Sequence, residues 1–349
     1  MENKSNKTEI LKLQAKIAVN GIPPDLRLHL EGMLERLSRM TEASGYGLEY
    51  ESVSHYLEWV VSLPWVAESP DNLDLSNARA VLDKNHYGMP KIKDRLLEYI
   101  AVLNLNRGKK KIGATVLCFV GLPGIGKTSV ASSIAEALAR PFIRIAMGGM
   151  GEVTQLRGLP RYLPGAEPGL IIRNLARVGV RNPVILLDEI DRVAEAGRAS
   201  IMGVLLELLD PEQNNAFTDY FLGYPFDLSG ALFICSGNNT GGISTAVIDR
   251  LEIIEMPAYT DEEKKVIGRD YLLPKGLRES GLDKEQITIA DDLWPKIIRP
   301  LGYDAGIRTL DRTIHGICRK AARKIVESAG TESKFILNDT NIKDFLPSW

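Results

Sequence analysis

The octapeptide Gly121-Leu-Pro-Gly-Ile-Gly-Lys127-Thr128 constrains this chain more than any other stretch, because it sits between an apolar run and a helix-patterned segment. It fits the phosphate-loop pattern GxxxxGK[ST]. A nucleoside triphosphate needs many short donors at once, and a glycine-rich turn lets successive backbone N–H groups approach phosphate oxygens without Cβ clashes. Gly121, Gly124 and Gly126 supply that room, with Pro123 and Ile125 between them. Ala114 to Val120 reads as a buried strand, and Val130, Ile134 and Leu138 recur at helical spacing, so strand, loop and helix arrive in the required order. On this pattern Lys127 spans the β- and γ-phosphates of ATP, Thr128 ligates Mg²⁺, and the loop through Ser129 cradles the anion at a helix N-terminus.

A second motif turns binding into hydrolysis. Val184-Ile-Leu-Leu187 is too short an apolar run for a helix and suits a central parallel strand, and it ends in Asp188-Glu189. Carboxylates at the C-terminal edge of such a strand face the phosphate crevice. Asp188 is expected to hold Mg²⁺, directly or through water, and Glu189 to orient and deprotonate the attacking water.

With 349 residues, 44% of them apolar and 25% charged, the chain has room for two or three domains with real cores. A net charge of −2 gives no global drive toward nucleic acid or an anionic membrane. The short basic run Arg107-Gly-Lys-Lys-Lys111 reads either as a local patch or as a solvated loop. Cys118, Cys235 and Cys318 are widely spaced, and the first two lie in apolar runs, which suits buried free thiols and a reducing, cytoplasmic setting. No stretch reaches transmembrane length, and the N-terminus lacks the basic-then-apolar order of a signal peptide. His29, His55, His86 and His315 show no ligand spacing with the cysteines, so no structural zinc is expected.

Periodicity divides the chain into residues 1–70, 71–258 and 259–349. In the first part Ile10, Leu13 and Ile17 form one seam, and Leu26, Leu30, Met33, Leu37 and Met40 form another after Pro23-Pro24, as in a helical hairpin. The seam serves packing, self-association or a partner. A further helix is expected over Tyr50 to Leu63, stopped by Pro64. The second part alternates strands near 114–120, 142–146, 183–188, 231–236 and 251–255 with helical stretches, which predicts an α/β fold with a parallel five-stranded sheet. One such helix carries Ile201, Val204, Leu205 and Leu208 at helical spacing. In the third part Ile307, Leu310, Ile314, Ile317 and Ala321 share a stripe, which predicts a small all-helical lid.

The segments GLPGIGKT, VILLDEID, LELLDPEQNNAFTDYFLGYPFDLS and VIDRLEIIEMPAYTDEEK together closely resemble the ATPase module of Lon-type ATP-dependent proteases. SLPWVAESPDNLDLSNARAVLDKNHYG upstream and GYDAGIRTLDRTI downstream extend the likeness over residues from about 50 to 345. The resemblance implies an AAA+ P-loop motor with a helical lid, assembled into a homo-oligomeric ring, usually a hexamer. It implies that Asn238 is the polar sensor facing the γ-phosphate or the lytic water, although the residue alone also reads as part of a turn with Gly237 and Asn239. It implies that Arg250 is an arginine finger reaching a neighbour's nucleotide, and that Arg308 is the lid arginine that senses the γ-phosphate. Within His86-Tyr87-Gly88-Met89, Tyr87 either stacks on adenine or packs under a helix.

The chain departs from the family pattern twice. A pore-facing loop of the family grips polypeptide substrates with an aromatic-aliphatic pair, and the corresponding stretch here, Arg157 to Gly165, aligns Leu163 and Pro164 with it; Tyr162 lies one residue earlier. The loop either grips in an altered way or merely connects a strand to a helix starting near Glu167. No segment resembles the family's Ser-Lys peptidase site, so cleavage is expected from a peptidase domain or chain outside these 349 residues. The leading expectation is an ATP-hydrolysing ring motor that unfolds or translocates polypeptide. The alternative is a protease-independent AAA+ ATPase acting on DNA or on protein assemblies, with weak DNA binding.

Overall fold

Gly21, with a φ of +62°, and Pro24, at a first helical position, separate the two N-terminal seams into a hairpin of α1 (Glu2–Val19) and α2 (Pro24–Ala43). The third helix, α3 (Leu48–Ser62), stops just before Pro64 as the sequence predicts. The computed structural model describes residues 2–19, 21–43, 48–106, 115–299, 302, 304–328 and 334–347. The basic run at 107–111 and Ala114 lie outside the described residues.

The hairpin does not stand apart. Leu13, Ile17, Leu26, Leu30 and Leu57 are buried in one cluster with sheet residues such as Cys118, Ile143 and Ile185. The Tyr56 hydroxyl donates to the Leu222 carbonyl at 3.1 Å, and the Trp65 ring lies 5.1 Å from that of Phe226. Packing therefore uses the seam read from the sequence.

Next come α4 (Leu75–Asn85), α5 (Pro90–Leu105), β1 (Val116–Val120), α6 (Lys127–Leu138), β2 (Phe142–Ala146), α7 (Thr154–Arg157), α8 (Leu170–Val178), β3 (Val184–Asp188) and α9 (Arg198–Leu209). A two-stranded ribbon of β4 (Phe217–Thr218) and β5 (Pro225–Phe226) precedes β6 (Leu232–Gly237), α10 (Thr245–Ile248) and β7 (Leu251–Glu255). The five long strands form one parallel sheet in the order β2-β3-β6-β1-β7. Successive residues of each strand feed opposite faces: Leu117, Phe119, Leu186 and Ile234 pack with Val130, Ile134 and Leu138, while Cys118, Ile185 and Cys235 face the other cluster. Burial on both faces explains why the inner strands β1, β3 and β6 read as near-continuous apolar runs, whereas the edge strands β2 and β7 carry Arg144 and Glu252. The three cysteines are buried and free.

The lid opens on α11 (Asp261–Ile267), whose N-terminus is closed by a capping box between Thr260 and Glu263. It continues through α12 (Leu273–Glu279), β8 (Ile287–Ile289), α13 (Trp294–Ile298), α14 (Arg308–Glu327), β9 (Phe335–Leu337) and α15 (Ile342–Phe345). Leu310, Ile314, Ile317 and Ala321 of α14 are buried around Trp294, so the lid has its own core. The parallel pair β8-β9 is an addition to the helical lid read from the sequence. Among the described residues no helix is long and apolar enough to cross a membrane.

Candidate functional site

The order β3-β6-β1 brings the C-terminal ends of three strands side by side, with the end of β6 between the phosphate loop and the acidic motif. The loop after β1 turns through left-handed Gly124 (φ +80°) and Gly126 (φ +98°). A Cβ on Gly121 would come within 2.5 Å of the Met256 carbonyl oxygen, so that position excludes any larger residue. Helix α6 starts at Lys127 and directs its free N–H groups toward the loop. Pro123 and Ser129 lie at the exposed side of this turn, whereas Ile125 is fully buried beneath it.

Lys127 donates to the carbonyls of Gly121 at 2.6 Å and Leu122 at 3.1 Å, and to Oδ1 of Asn238 at 3.1 Å. Burial lowers its pKa, opposed by the carboxylates of Asp188, Asp191 and Glu189. Thr128 Oγ1 lies 3.4 Å from Asp188 Oδ2. Asp188, 3% exposed, accepts the Ser236 hydroxyl on Oδ1 and the Arg144 Nε at 2.6 Å on Oδ2. Glu189 adopts a left-handed conformation (φ +60°), costing on the order of 1–3 kcal/mol for a non-glycine residue. Its N–H is held by Ser236 Oγ at 3.2 Å, and a Cβ on Gly148 would lie 2.5 Å from its carboxylate. The turn thus sets the Glu189 carboxylate beside Gly148 and 3.9 Å from the Arg192 guanidinium.

Two features fit the Mg²⁺ and triphosphate that the sequence implies. Thr128 and Asp188 present a hydroxyl and a carboxylate, the hard oxygen donors that Mg²⁺ takes. The Nδ2 of Asn238 is buried without a partner, a donor left for an anionic oxygen or a water.

The lid reaches this loop. Ile307 N–H donates to the Gly124 carbonyl at 2.9 Å, and a Cβ on Gly124 would lie 3.1 Å from Arg308 Cβ. Arg308 therefore begins α14 directly over the loop. Arg250 is elsewhere: its carbonyl accepts the N–H of Val116 at 3.3 Å, at the opposite edge of the sheet. Strand β1 lies between, so Arg250 is removed from its own phosphate loop by roughly 15 Å at the usual strand rise. Its guanidinium contacts Asp210 at 3.1 Å and the Ala246 carbonyl at 2.9 Å.

Gly88 (φ +64°) and Met89 (φ +54°) turn the chain after Tyr87, which packs toward the lid with its ring 6.4 Å from that of Tyr271, the packing alternative open to it from the sequence. The cleft beside Gly121, of about 640 Å³, is lined by Met89, Ile92, Met256, Pro257 and Tyr259. Its apolar walls suit a flat heteroaromatic base. Burial pushes the Tyr259 pKa up to about 12, and its hydroxyl donates to the Ile125 carbonyl at 3.3 Å.

Tyr162 and Leu163 stand at the tip of a loop, 82% and 39% exposed. The helix expected near Glu167 begins at Leu170, because Pro168 disfavours helix before it and Asp219 captures the Gly169 N–H. Sequence reasoning missed Ser236, Arg144, Met256 and Tyr259, whereas Met89 belongs to the segment already singled out at 86–89. Ser236 had one available signal, a small hydroxyl inside an apolar run.

Residues 117–258 match the ATPase family associated with various cellular activities (AAA), and residues 278–334 match the Lon protease AAA+ ATPase lid domain. The Lon protease of Dictyoglomus thermophilum is 44% identical over 338 residues, covering 97% of this chain and 42% of that protein. That of Lawsonia intracellularis is also 44% identical, covering 97% and 40%. Lon protease 2 of Thermus thermophilus is 41% identical over 336 residues, covering 94% and 41%. The chain spans about two fifths of the length of these relatives. By its ATPase and lid domains, the chain belongs to the Lon protease family of AAA+ proteins.

Proposed function

We propose that this chain hydrolyses ATP and uses the energy to move or unfold polypeptide, as the motor part of a Lon-type machine. The observation that carries the reading is the convergence of Lys127, Asn238, Asp188 and Glu189 at the ends of adjacent strands. Lys127 and the loop N–H groups bind and orient the triphosphate. When bound, Mg²⁺ held by Thr128 and Asp188 offsets the charge on the phosphate oxygens. Glu189 accepts the proton of the attacking water, and the free N–H of the Asn238 amide orients that water or the γ-phosphate. The cleft lined by Met89, Met256 and Tyr259 takes the base.

Arg308, over the loop, senses the γ-phosphate, and the lid moves when that contact forms or breaks. Arg250 serves a neighbouring subunit, a reading supported by its distance from its own loop. Such sharing requires a ring, six-membered by family resemblance. Tyr162 and Leu163 contact the polypeptide. Functionally the chain divides into helices 1–70, a nucleotide domain 71–258 and a lid 259–349, working in the cytoplasm. Peptide cleavage is assigned to no residue of this chain.

The test is the ATPase rate against subunit concentration, with and without an unfolded polypeptide or duplex DNA. A rate per subunit that rises with concentration and with polypeptide supports the proposal. Stimulation by DNA alone would move the substrate assignment, and a concentration-independent rate would remove the shared site.

A further inference from the structure

Between Gly158 and Gly169 the chain makes a loop whose tip, Tyr162 and Leu163, is stabilised internally by turn contacts: Leu163 N–H to the Pro160 carbonyl at 2.9 Å and Ala166 N–H to the Leu163 carbonyl at 3.2 Å. Its stem is closed by Leu159 N–H on the Glu167 carbonyl at 3.0 Å. That stem is held from two sides. On one, Asp219, without exposed surface, accepts the Gly169 N–H at 2.8 Å on one oxygen and those of Phe221 and Leu222, at 2.8 and 3.2 Å, on the other. On the other, α3 supplies two donors to one carboxylate: His55 Nε2 lies 3.1 Å from Glu167 Oε1, and Trp59 Nε1 donates to Oε2 at 3.1 Å. Arg161, next to the tip, places its guanidinium 4.5 Å over the Tyr56 ring of the same helix.

A single exposed contact of this kind fixes little. Two donors one helical turn apart, each on its own oxygen, fix the direction of the carboxylate as well as its distance. Because α3 is itself packed into the body through Tyr56 and Leu222, the stem inherits the orientation of the N-terminal helices. The geometry points to Glu167 as a positioning residue, through which α3 sets the direction of the Tyr162–Leu163 tip for polypeptide contact. This inference rests on the reading of that loop given under the proposed function.

The experiment measures binding of fluorescein-labelled, carboxymethylated lactalbumin by anisotropy, with ATP, to the 349-residue chain carrying Glu189→Gln. Trp59→Phe is expected to weaken binding about fivefold and Glu167→Ala, which removes the partner of both His55 and Trp59, at least as much, with the double variant no weaker than Glu167→Ala, because that variant already deletes the Trp59 contact. Glu167→Gln, which keeps an acceptor for Trp59, recovers most of the affinity. ATP affinity and Tm stay at parental values, and Leu163→Asp abolishes binding. If Leu163→Asp abolishes binding while Trp59→Phe and Glu167→Ala keep full affinity, the positioning role is wrong and the loop reading stands. If Leu163→Asp binds like its parent, or the parent itself fails to bind, the loop reading falls and the inference falls with it. Additive losses, or losses that follow a fall in Tm, would mark the contact as ordinary packing and overturn the proposal.

Discussion

Ile307 of the lid and Gly124 of the phosphate loop are joined by a backbone hydrogen bond of 2.9 Å, so lid and loop meet main chain to main chain. Gly306 makes the approach possible: a Cβ there would lie 2.7 Å from the carbonyl oxygen and carbon of Gly124. Backbone on both sides cannot yield as a side chain would. Gly306→Ala is expected to raise the Kd for ATP about tenfold while far-UV circular dichroism stays unchanged; titration calorimetry showing parental affinity would break the link between lid and binding.

Glu189→Gln keeps the left-handed turn and its hydrogen bond to Ser236, because both belong to the backbone. Only the proton-accepting group is lost. ATP affinity should remain within about threefold and turnover should fall roughly a hundredfold or more. Undiminished steady-state hydrolysis would exclude the general-base role.

Arg250→Ala should leave nucleotide affinity nearly intact and lower the rate by roughly a thousandfold. The ion pair with Asp210, one-third exposed on the arginine side, contributes little to folding. Mixing this variant with Lys127→Ala creates interfaces where an intact loop meets an intact Arg250. Failure of the mixture to recover activity would argue against supply from a neighbour.

His86, 8% exposed, is held neutral: burial, followed by the charge of Lys93, lowers its pKa to about 4 from an ordinary 6.5. Between these values the unfolded chain carries a proton that the folded chain refuses. Stability is therefore fully present above pH 6.5 and declines as pH falls toward 4, by roughly 3 kcal/mol. His86→Gln keeps a partner for Ser133, whose hydroxyl lies 2.8 Å from Nε2, and should flatten that part of a pH series of urea melts. An unchanged slope would assign the acid sensitivity elsewhere.

Legibility in the sequence followed the physics of each element. Strands β1, β3 and β6 were readable because burial on both faces demands continuous apolar runs, and Lys127, Asp188 and Glu189 because chemistry fixes their spacing from those runs. The meeting of Lys127 with Asn238 depends on strand order, which periodicity does not encode. Arg144 was illegible for the same reason, since only the pairing of β2 with β3 brings it to Asp188. Strands β8 and β9, three residues each, are too short to show a period and find each other across most of the lid. The side on which Tyr87 packs was illegible as well, because two consecutive positive φ angles, one of them at a non-glycine residue, turn the chain after it.

The placement of the tryptophans carries a consequence for heating. Trp65 sits in the cluster that joins the N-terminal hairpin to the sheet, whereas Trp294 anchors the separate lid cluster. Hairpin and sheet should melt as a single cooperative block, and the lid can come apart in a transition of its own. Removing the hairpin would uncover α3 and the segment around Tyr224, whose hydroxyl donates to Asp25 at 2.9 Å, rather than trim an appendage.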